Sequence, residues 1–203
     1  MKTIVITGGT GDLGSVVVPR LVRDYRCIVV YRTRESFEKL AAHENLIGAS
    51  SLEEALQYAP FHGLVNLVGG FGGGASPDEF TKQLETNLMP FVRAVHTLAP
   101  QIEDGGRIVA MSSVASQTKP AGIGAYVASK AALNAFIESL AKELGKRRIT
   151  VNALLPGSID TPENRASTPA SKLVPAAGIA ELIAFLLSED SRHLNGQLLG
   201  VTP

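Results

Sequence analysis

The sequence predicts an α/β protein with a parallel sheet covered by helices on both faces, and three observations lead to this class. Short apolar runs rich in Val and Ile alternate with longer segments whose apolar residues recur at helical spacing. The first run, Lys2–Thr7, leads through a glycine-rich turn into Val16, Val17, Leu21 and Val22 at helical spacing. Strands that are apolar throughout are typical of parallel sheets buried on both sides. We therefore expect residues 1–203 to form one domain.

Turn residues and apolar periodicity set the expected bounds of the elements. The predicted later strands are Cys27–Tyr31, Asn45–Gly48, His62–Val68, Gly106–Ser112, Ile149–Leu155 and Gln197–Val201. The predicted later helices are Ser36–Ala42, Leu52–Tyr58, Pro77–Ala99, Ile123–Gly145 and Ala177–Ser188. Pro90 should kink the helix that contains it, because proline removes a backbone donor and clashes with the preceding turn. The Pro/Ser/Thr-rich stretch from Ser158 to Pro175 is expected to be a mobile substrate loop.

Composition and charge exclude several classes of function. Lys plus Arg and Asp plus Glu each number 19, so the formal net charge is zero and nothing favours a nucleic-acid partner. Cys27 is the only cysteine, and the four histidines lack ligand spacing, so no metal site is expected. No apolar run reaches membrane-spanning length, and Lys2–Thr7 has the pattern of a strand rather than a signal peptide. A cytoplasmic protein without a membrane partner is therefore expected.

The first turn carries glycines in the arrangement that a dinucleotide needs. Thr7-Gly8-Gly9-Thr10-Gly11-Asp12-Leu13-Gly14 lies between a predicted strand and a predicted helix. Glycines there let backbone N–H groups approach a pyrophosphate at the helix N-terminus. The candidate cofactor contacts in this turn are Gly8, Thr10, Gly11, Asp12, Leu13 and Gly14. A glycine-rich turn without a ligand remains the alternative, and for Asp12 we favour a structural interpretation as a cap and dipole complement of the helix.

The end of the second strand bears on the choice of cofactor. Arg32 follows Tyr31 at the position where NAD-preferring sheets often present an acidic residue to the ribose. A guanidinium group there suits a 2′-phosphate, so we predict that NADP(H) is preferred and that NAD(H) remains possible. A solvated strand end is the alternative for this basic segment.

A candidate acid/base pair lies on the helix predicted over residues 123–145. Tyr126 and Lys130 are four residues apart and therefore share one helix face, with Ser113 thirteen residues upstream of the tyrosine. Lowering a tyrosine pKa from about 10 to about 7 takes roughly 4 kcal/mol. A cation about 5 Å away at an effective dielectric constant of about 20 supplies roughly 3 kcal/mol. Taken alone, the same spacing also fits a tyrosine resting on a lysine stem at an exposed helix face.

Together these motifs resemble the short-chain dehydrogenase/reductase family, and the resemblance runs from Lys2 to Val201. Ser113, Tyr126 and Lys130 match its catalytic residues in order and spacing. The further matching segments are Glu85–Leu88 around Asn87, Asn66–Gly69 after the fourth strand, Asn152–Pro162, and the turn Asn195–Gln197. The resemblance implies a Rossmann-type doubly wound parallel sheet of about seven strands, in the order 3-2-1-4-5-6-7.

The resemblance also implies a reaction, namely hydride transfer between a nicotinamide and a carbonyl or alcohol carbon of a small molecule. Tyr126 would exchange the proton, Ser113 would bond the substrate oxygen, and Lys130 would hold the ribose and lower the Tyr126 pKa. Asn87 would keep a water in line with Lys130. Besides Tyr126 and Lys130, the implied cofactor contacts are Asn66, Val68, Gly69, Pro156, Gly157, Ile159 and Thr161. Members commonly pair through the two long helices that correspond to Pro77–Ala99 and Ile123–Gly145 here, so a homodimer or homotetramer is expected.

Departures from the family pattern leave the substrate open. The glycine spacing is that of a longer branch of the family, and the region between Thr161 and Pro175 is short where relatives have a helical lid. Val68–Gly74 and Ala121–Tyr126 resemble the corresponding segments of quinonoid dihydropteridine reductases, which hints at a pteridine-like substrate. A catalytically weak, NADP-binding regulatory or scaffold protein on the same fold is the alternative function.

Overall fold

The computed structural model describes every residue from Met1 to Pro203, and its centre is a seven-stranded parallel sheet. The strands are β1 (Thr3–Thr7), β2 (Arg26–Val30), β3 (Leu46–Ala49), β4 (Phe61–Asn66), β5 (Ile102–Met111), β6 (Thr150–Pro156) and β7 (Leu198–Val201). They lie in the order β3-β2-β1-β4-β5-β6-β7, and every neighbouring pair is parallel. The fold class and strand order implied by the family resemblance are confirmed.

Nine α-helices connect and cover the strands. They are α1 (Gly14–Leu21), α2 (Arg34–Glu38), α3 (Leu52–Ala55), α4 (Pro77–Asn87), α5 (Met89–Leu98), α6 (Ala115–Thr118), α7 (Gly124–Leu144), α8 (Pro162–Arg165) and α9 (Ala176–Leu187). Because side chains alternate along a strand, Val5 packs into the core beneath α5 and α7, while Ile4 and Ile6 pack beneath α1 and α9. None of these helices combines the length and apolarity that crossing a bilayer requires.

The helix predicted over residues 77–99 is interrupted more strongly than a kink. Helix α4 ends at Asn87, Leu88 adopts φ −107° and ψ −55°, and α5 begins at Met89. Pro90 then occupies the first turn of α5, where the missing backbone donor is tolerated. The break therefore places Asn87 at the C-terminal end of α4.

The segment from Ser158 to Pro175 contains regular structure that the sequence did not predict. Ile159 and Val174 form a β-bridge, the Asp160 amide donates to the Val174 carbonyl at 2.8 Å, and Leu173 and Val174 are buried. Helix α8 lies between these paired ends and is capped by the Thr161 hydroxyl, which accepts from the Asn164 amide at 3.4 Å. The segment is thus a short strap whose base is closed by backbone hydrogen bonds.

Candidate active site

The predicted site residues meet at one edge of the sheet. Since all strands are parallel, β1, β4, β5 and β6 end at the same edge, at Thr7, Asn66, Met111 and Pro156. The residues that follow these ends carry the glycine turn, Val68–Gly69, Ser113 and Gly157–Thr161. Helix α7 packs across β6 and α4 and brings Tyr126 and Lys130 to the same edge.

Two glycines of the first turn are required by packing, and a third is not. Gly8 has φ +73°, and a Cβ atom there would lie 2.7 Å from the Val68 backbone nitrogen. A Cβ at Gly14 would overlap the Gly9 carbonyl oxygen. Gly11 is exposed, and a Cβ there would meet only the Gly8 carbonyl oxygen at 3.5 Å, an ordinary contact. The turn therefore packs closely against the turn after β4 and leaves Gly11 facing outward.

Asp12 does not cap α1, and our structural interpretation of this residue was wrong. Leu13 occupies the N-cap position, the helix has no side-chain cap, and no acidic residue lies in its first turn. The Asp12 backbone carbonyl accepts a hydrogen bond from the Ser15 hydroxyl at 2.7 Å. Its carboxylate stays exposed beside the half-buried Thr10 and Leu13, at the mouth of the turn.

Arg32 lies just beyond β2 and has no ion-pair partner. The strand ends at Val30, one residue before the predicted end, and the Tyr31 ring packs on Phe37 with 5.3 Å between the centroids. Arg34 instead pairs with Glu38 on α2 at 3.0 Å. Arg32 is exposed and makes no hydrogen bond to the rest of the chain. It is therefore the cation left available at the end of β2.

Asn66 is positioned differently from the predicted cofactor contact. It is fully buried at the end of β4, where its Oδ1 accepts from the Thr7 hydroxyl at 2.7 Å. Its Nδ2 donates to the Val68 carbonyl at 3.5 Å. Because both amide atoms bond within the protein, the side chain ties the turns after β1 and β4 together rather than facing the open edge.

Lys130 is almost completely buried, at 4% exposure, and Nζ donates to the Met111 carbonyl at 3.0 Å. Burial disfavours the ammonium form and lowers the pKa of Lys130 to about 8. Gly69 makes room for this group, since a Cβ there would lie 2.9 Å from Lys130 Nζ and 3.1 Å from Asn87 Oδ1. The packing of these three residues explains the glycine at position 69.

Tyr126 is half-buried, and its pKa is raised, not lowered. Burial disfavours the phenolate, and the neighbouring Ser113 hydroxyl acts in the opposite, lowering direction. Our expectation that Lys130 lowers the Tyr126 pKa is not met in this arrangement, because the ammonium group is directed to the Met111 carbonyl. The phenol is therefore held protonated at neutral pH.

Asn87 also makes contacts that its predicted role did not include. Its Oδ1 accepts from the Gly70 amide at 2.9 Å, and its Nδ2 donates to Gln83 Oε1 at 2.9 Å and Ser129 Oγ at 3.1 Å. Ser129 in turn donates to the Tyr126 carbonyl at 2.8 Å. The side chain joins the loop after β4 to α7, and the role of Asn87 in holding a water near Lys130 stays a prediction.

Sequence reasoning missed Gln83 and Ser129, although a signal was present. Gln83 lies four residues before Asn87, and Ser129 lies three residues after Tyr126, so both share a helix face with a residue that we had singled out. A search of those faces for polar side chains finds both.

Ser113 lies two residues beyond the end of β5, and hydrogen bonds from Ser116 and Asn134 support its backbone. Its backbone carbonyl accepts from Ser116 Oγ at 2.6 Å, and Ser116 accepts from Asn134 Nδ2 at 2.8 Å. The Ser113 hydroxyl accepts from the Ala115 amide at 3.2 Å and faces Tyr126. The neighbouring Ser112 points into the fold, toward the Lys130 carbonyl at 3.5 Å. Of the two serines, only Ser113 adjoins the phenol.

The remaining predicted contacts lie at the end of β6 and in the segment that follows it. Pro156 is buried at the strand end, and the Gly157 amide donates to the Val201 carbonyl at 3.1 Å. Ile159 and Thr161 are half-buried at the base of the strap. Backbone pairing thus fixes this segment beside the end of β7.

The comparisons with known proteins agree with this architecture. A family model described as "short chain dehydrogenase" matches residues 2–172. The chain belongs to the short-chain dehydrogenase/reductase family of oxidoreductases.

Individual relatives show how widely this similarity extends. The chain is 30% identical over 232 aligned positions to the 3-oxoacyl-[acyl-carrier-protein] reductase FabG of Salmonella typhimurium, covering 98% of this chain and 95% of that protein. It is 27% identical to a cyclic-di-GMP-binding biofilm dispersal mediator protein of Escherichia coli, covering 97% and 94%. A blue fluorescent protein from a metagenomic library, solved in complex with NADPH, superposes with a TM-score of 0.85 at 28% identity, covering 98% and 96%.

Proposed function

We propose that this protein is an NADP(H)-preferring oxidoreductase that interconverts a carbonyl and an alcohol of a small molecule, with Tyr126 as the general acid/base. The observation that carries the proposal is the meeting of Ser113, Tyr126 and buried Lys130 at the sheet edge that also holds the glycine turn. A phenol beside a hydroxyl and a buried ammonium forms a proton-transfer set, which a binding protein has no need of.

The residues at the edge fit a dinucleotide. Gly11 is open although packing does not require glycine there, which suits a phosphate group approaching the backbone. Unpaired Arg32 suits a 2′-phosphate, and this supports NADP(H) over NAD(H). The other proposed contacts are Gly8, Thr10, Asp12, Leu13 and Gly14 by backbone, and Val68, Gly69, Tyr126, Lys130, Pro156, Gly157, Ile159 and Thr161 on the nicotinamide side. Asn66 acts here as a positioning residue.

The bound nicotinamide would supply or accept the hydride, and the protein would supply position and protons. Because burial keeps the Tyr126 phenol protonated, it can give its proton to a carbonyl oxygen as that oxygen becomes an alcohol. Ser113 donates a hydrogen bond to the same oxygen and stabilises the charge that develops on it. Lys130 would hold the ribose hydroxyls of the bound dinucleotide.

A regulatory protein on the same fold is the second candidate. It is favoured by the relative named for cyclic-di-GMP binding and biofilm dispersal, which is similar over nearly the whole chain. The short strap over residues 158–175 also covers less of the edge than a long helical lid would.

One experiment separates the two candidates. Purified protein is mixed with NADPH and a panel containing a 3-oxoacyl thioester, simple ketones and aldehydes, and a quinonoid dihydropteridine. Substrate-dependent loss of NADPH absorbance supports the oxidoreductase. Tight NADPH binding, measured by fluorescence titration, with no turnover on any member supports the regulatory protein.

We also propose that the protein forms a homodimer or homotetramer through α5 and α7. Between these helices runs an open groove of about 440 Å³, lined by apolar side chains that include Val92, Val95, Phe136, Leu140 and Leu144. Exposed apolar grooves of this kind are typical of subunit contacts. Light scattering at micromolar concentration should give at least twice the monomer mass, and a monomer mass would contradict the proposal.

A further inference from the structure

An exposed aromatic ring adjoins the candidate acid/base residue. Phe71 follows β4 in the loop over residues 69–75, and it is 74% exposed. Its ring meets the Tyr126 ring edge to face, with 5.2 Å between the centroids and 67° between the planes. Most large aromatic side chains bury their surface, so a phenyl group left open at this position requires an explanation.

The loop that presents Phe71 is fixed on both sides of the residue. The Gly70 amide donates to Asn87 Oδ1 at 2.9 Å. On the other side, Gln83 Nε2 packs so closely against Gly72 that a Cβ there would overlap it. Asn87 and Gln83 are hydrogen-bonded to each other and are 1% and 2% exposed. Buried polar groups of α4 therefore hold both neighbours of the phenylalanine.

The far end of the loop is tied to the start of α7. The Gly74 amide donates to the Gly122 carbonyl at 2.9 Å, and the Ala125 amide donates to the Gly74 carbonyl at 3.2 Å. Tyr126 follows Ala125 directly, so the loop and the acid/base residue share one anchored frame. The ring is thus preorganised beside Tyr126 before any ligand binds.

We propose that Phe71 is a substrate-specificity residue, whose free face stacks on a planar, conjugated or aromatic group attached to the substrate carbonyl. The proposal rests on the proposed oxidoreductase function. Residues 69–75 include no charged side chain, which favours an uncharged planar group at this position. Two aromatic rings in offset or edge-to-face contact attract each other more strongly than their buried area alone accounts for. A saturated ring with the same carbon skeleton lacks this additional attraction.

The test compares acetophenone with cyclohexyl methyl ketone, which share a carbon skeleton. Their six-membered ring is aromatic in the first ketone and saturated in the second. The ratio of their kcat/KM values is measured for the wild type and for Phe71→Leu, Phe71→Tyr and Phe185→Leu. Phe71→Leu should reduce the preference for the aromatic ketone about 2- to 12-fold, the range of a ring–ring contact. Phe71→Tyr should restore the preference. Phe185 is an exposed phenylalanine on α9, away from the site, and Phe185→Leu should leave the ratio unchanged.

The same two ketones are also titrated into the protein–NADPH complex by ligand-observed NMR, so that the inference is decided even without turnover. Absence of turnover with all variants, together with weaker acetophenone binding to Phe71→Leu alone, would sink the proposed function and keep the Phe71 site. An unchanged ratio and unchanged binding would overturn the Phe71 assignment. It would equally be overturned if Phe71→Leu lowered kcat/KM equally for both ketones, or changed only the NADPH affinity, since either result makes the ring a support for Tyr126 or the cofactor.

Discussion

The two sides of the candidate site are built in opposite ways. On the inner side, Asn87, Gln83, Ser129 and Lys130 are buried, and their side chains bond to one another or to the backbone. We call these four residues the inner network. On the outer side, the open rim consists of Gly11, Asp12, Arg32 and Phe71, which are exposed.

This difference shows which part of the site is complete in itself. The hydrogen bonds of the inner network are satisfied within the protein, so Asn87, Gln83 and Ser129 can be explained by the fold, whereas burial of the Lys130 ammonium costs stability and needs a functional explanation. The open rim holds a glycine that packing does not require, two unpaired charges and an uncovered phenyl ring. The fold does not require these features, so we attribute them to the binding of a cofactor or substrate. Tyr126 lies between the two sides, since its carbonyl bonds Ser129 of the inner network and its ring contacts Phe71 of the rim.

The largest effect is expected at that junction. Tyr126→Phe removes the phenolic O–H and keeps the ring, so turnover should fall roughly 10²- to 10⁴-fold while NADPH affinity stays within a few-fold. Steady-state kcat and a fluorescence titration of NADPH measure the two quantities. Tyr58→Phe, a half-buried tyrosine remote from the site, is the matched control and should keep full activity. Residual activity of Tyr126→Phe above about a tenth of wild type would remove Tyr126 from the acid/base role.

The second prediction concerns the charge buried in the inner network. The pKa of Lys130 is lowered from 10.5 to about 8 by burial, and a difference of that size corresponds to about 3 kcal/mol. The unfolded chain binds this proton below pH 10.5, whereas the folded protein binds it only below about pH 8. The free energy of unfolding should therefore fall as the pH drops from 10.5 to 8, with no further change from this group below pH 8.

Lys130→Met removes that penalty and also the hydrogen bond to Met111, which is worth about 1 kcal/mol. The variant should be inactive yet about 2 kcal/mol more stable at pH 7, and this advantage should disappear toward pH 10.5. Urea unfolding of both proteins at pH 7 and pH 10 measures the difference. Lys142→Met, on the exposed face of the same helix, should show no such pH dependence. A Lys130→Met protein that is less stable than wild type at pH 7 would show that the ammonium supports the fold.

The third prediction moves to the open rim. Arg32→Ala should weaken NADPH binding by about 10- to 150-fold, the worth of a charge-assisted contact to a 2′-phosphate, and leave NADH binding nearly unchanged. Dissociation constants of both cofactors are compared by fluorescence titration. Arg34→Ala is the control, because that guanidinium is already paired with Glu38. Equal losses for both cofactors would mean that Arg32 supports the local structure and that any preference has another cause.

The sequence predicted well those features that depend on apolar pattern and on spacing. The seven strands, the helix over residues 124–144 and the meeting of Ser113 with Tyr126 all follow from periodicity or from the family resemblance. Helix α8 was missed although Thr161-Pro162 is a recognisable start, with a capping hydroxyl followed by proline at the first helical position.

Other features depend on burial and on side-chain direction, which spacing does not reveal. Lys130 and Tyr126 share a helix face as expected, yet the ammonium bonds Met111 and burial raises the phenol pKa. Similarly, the side-chain amides of Asn66 and Asn87 make hydrogen bonds with Thr7 and Gly70 that the sequence did not predict. The direction of an amide at a strand or helix end is decided by its packed neighbours.

The smallest expected effect comes from Asp12, the acidic member of the open rim. Its carboxylate is exposed in the glycine turn and caps nothing, so it should repel the phosphates of a bound dinucleotide through solvent. Asp12→Asn keeps the size and removes the charge, and it should tighten the binding of NADPH and NADH alike by about two- to fivefold at low salt. The gain should shrink as ionic strength rises, because an exposed interaction is screened.

A stability measurement on Asp12→Ala separates this interpretation from a capping role. A capping aspartate would cost about 1 kcal/mol when replaced by alanine, whereas an uncapped, exposed position should change the free energy of unfolding by less than about 0.5 kcal/mol. Glu44→Gln removes an exposed charge just before β3, at the opposite edge of the sheet, and should leave cofactor affinity unchanged. If Asp12→Asn weakened binding instead, the carboxylate would be a contact to the cofactor, and the open rim would contain one acidic group that recognises a hydroxyl rather than repelling a phosphate.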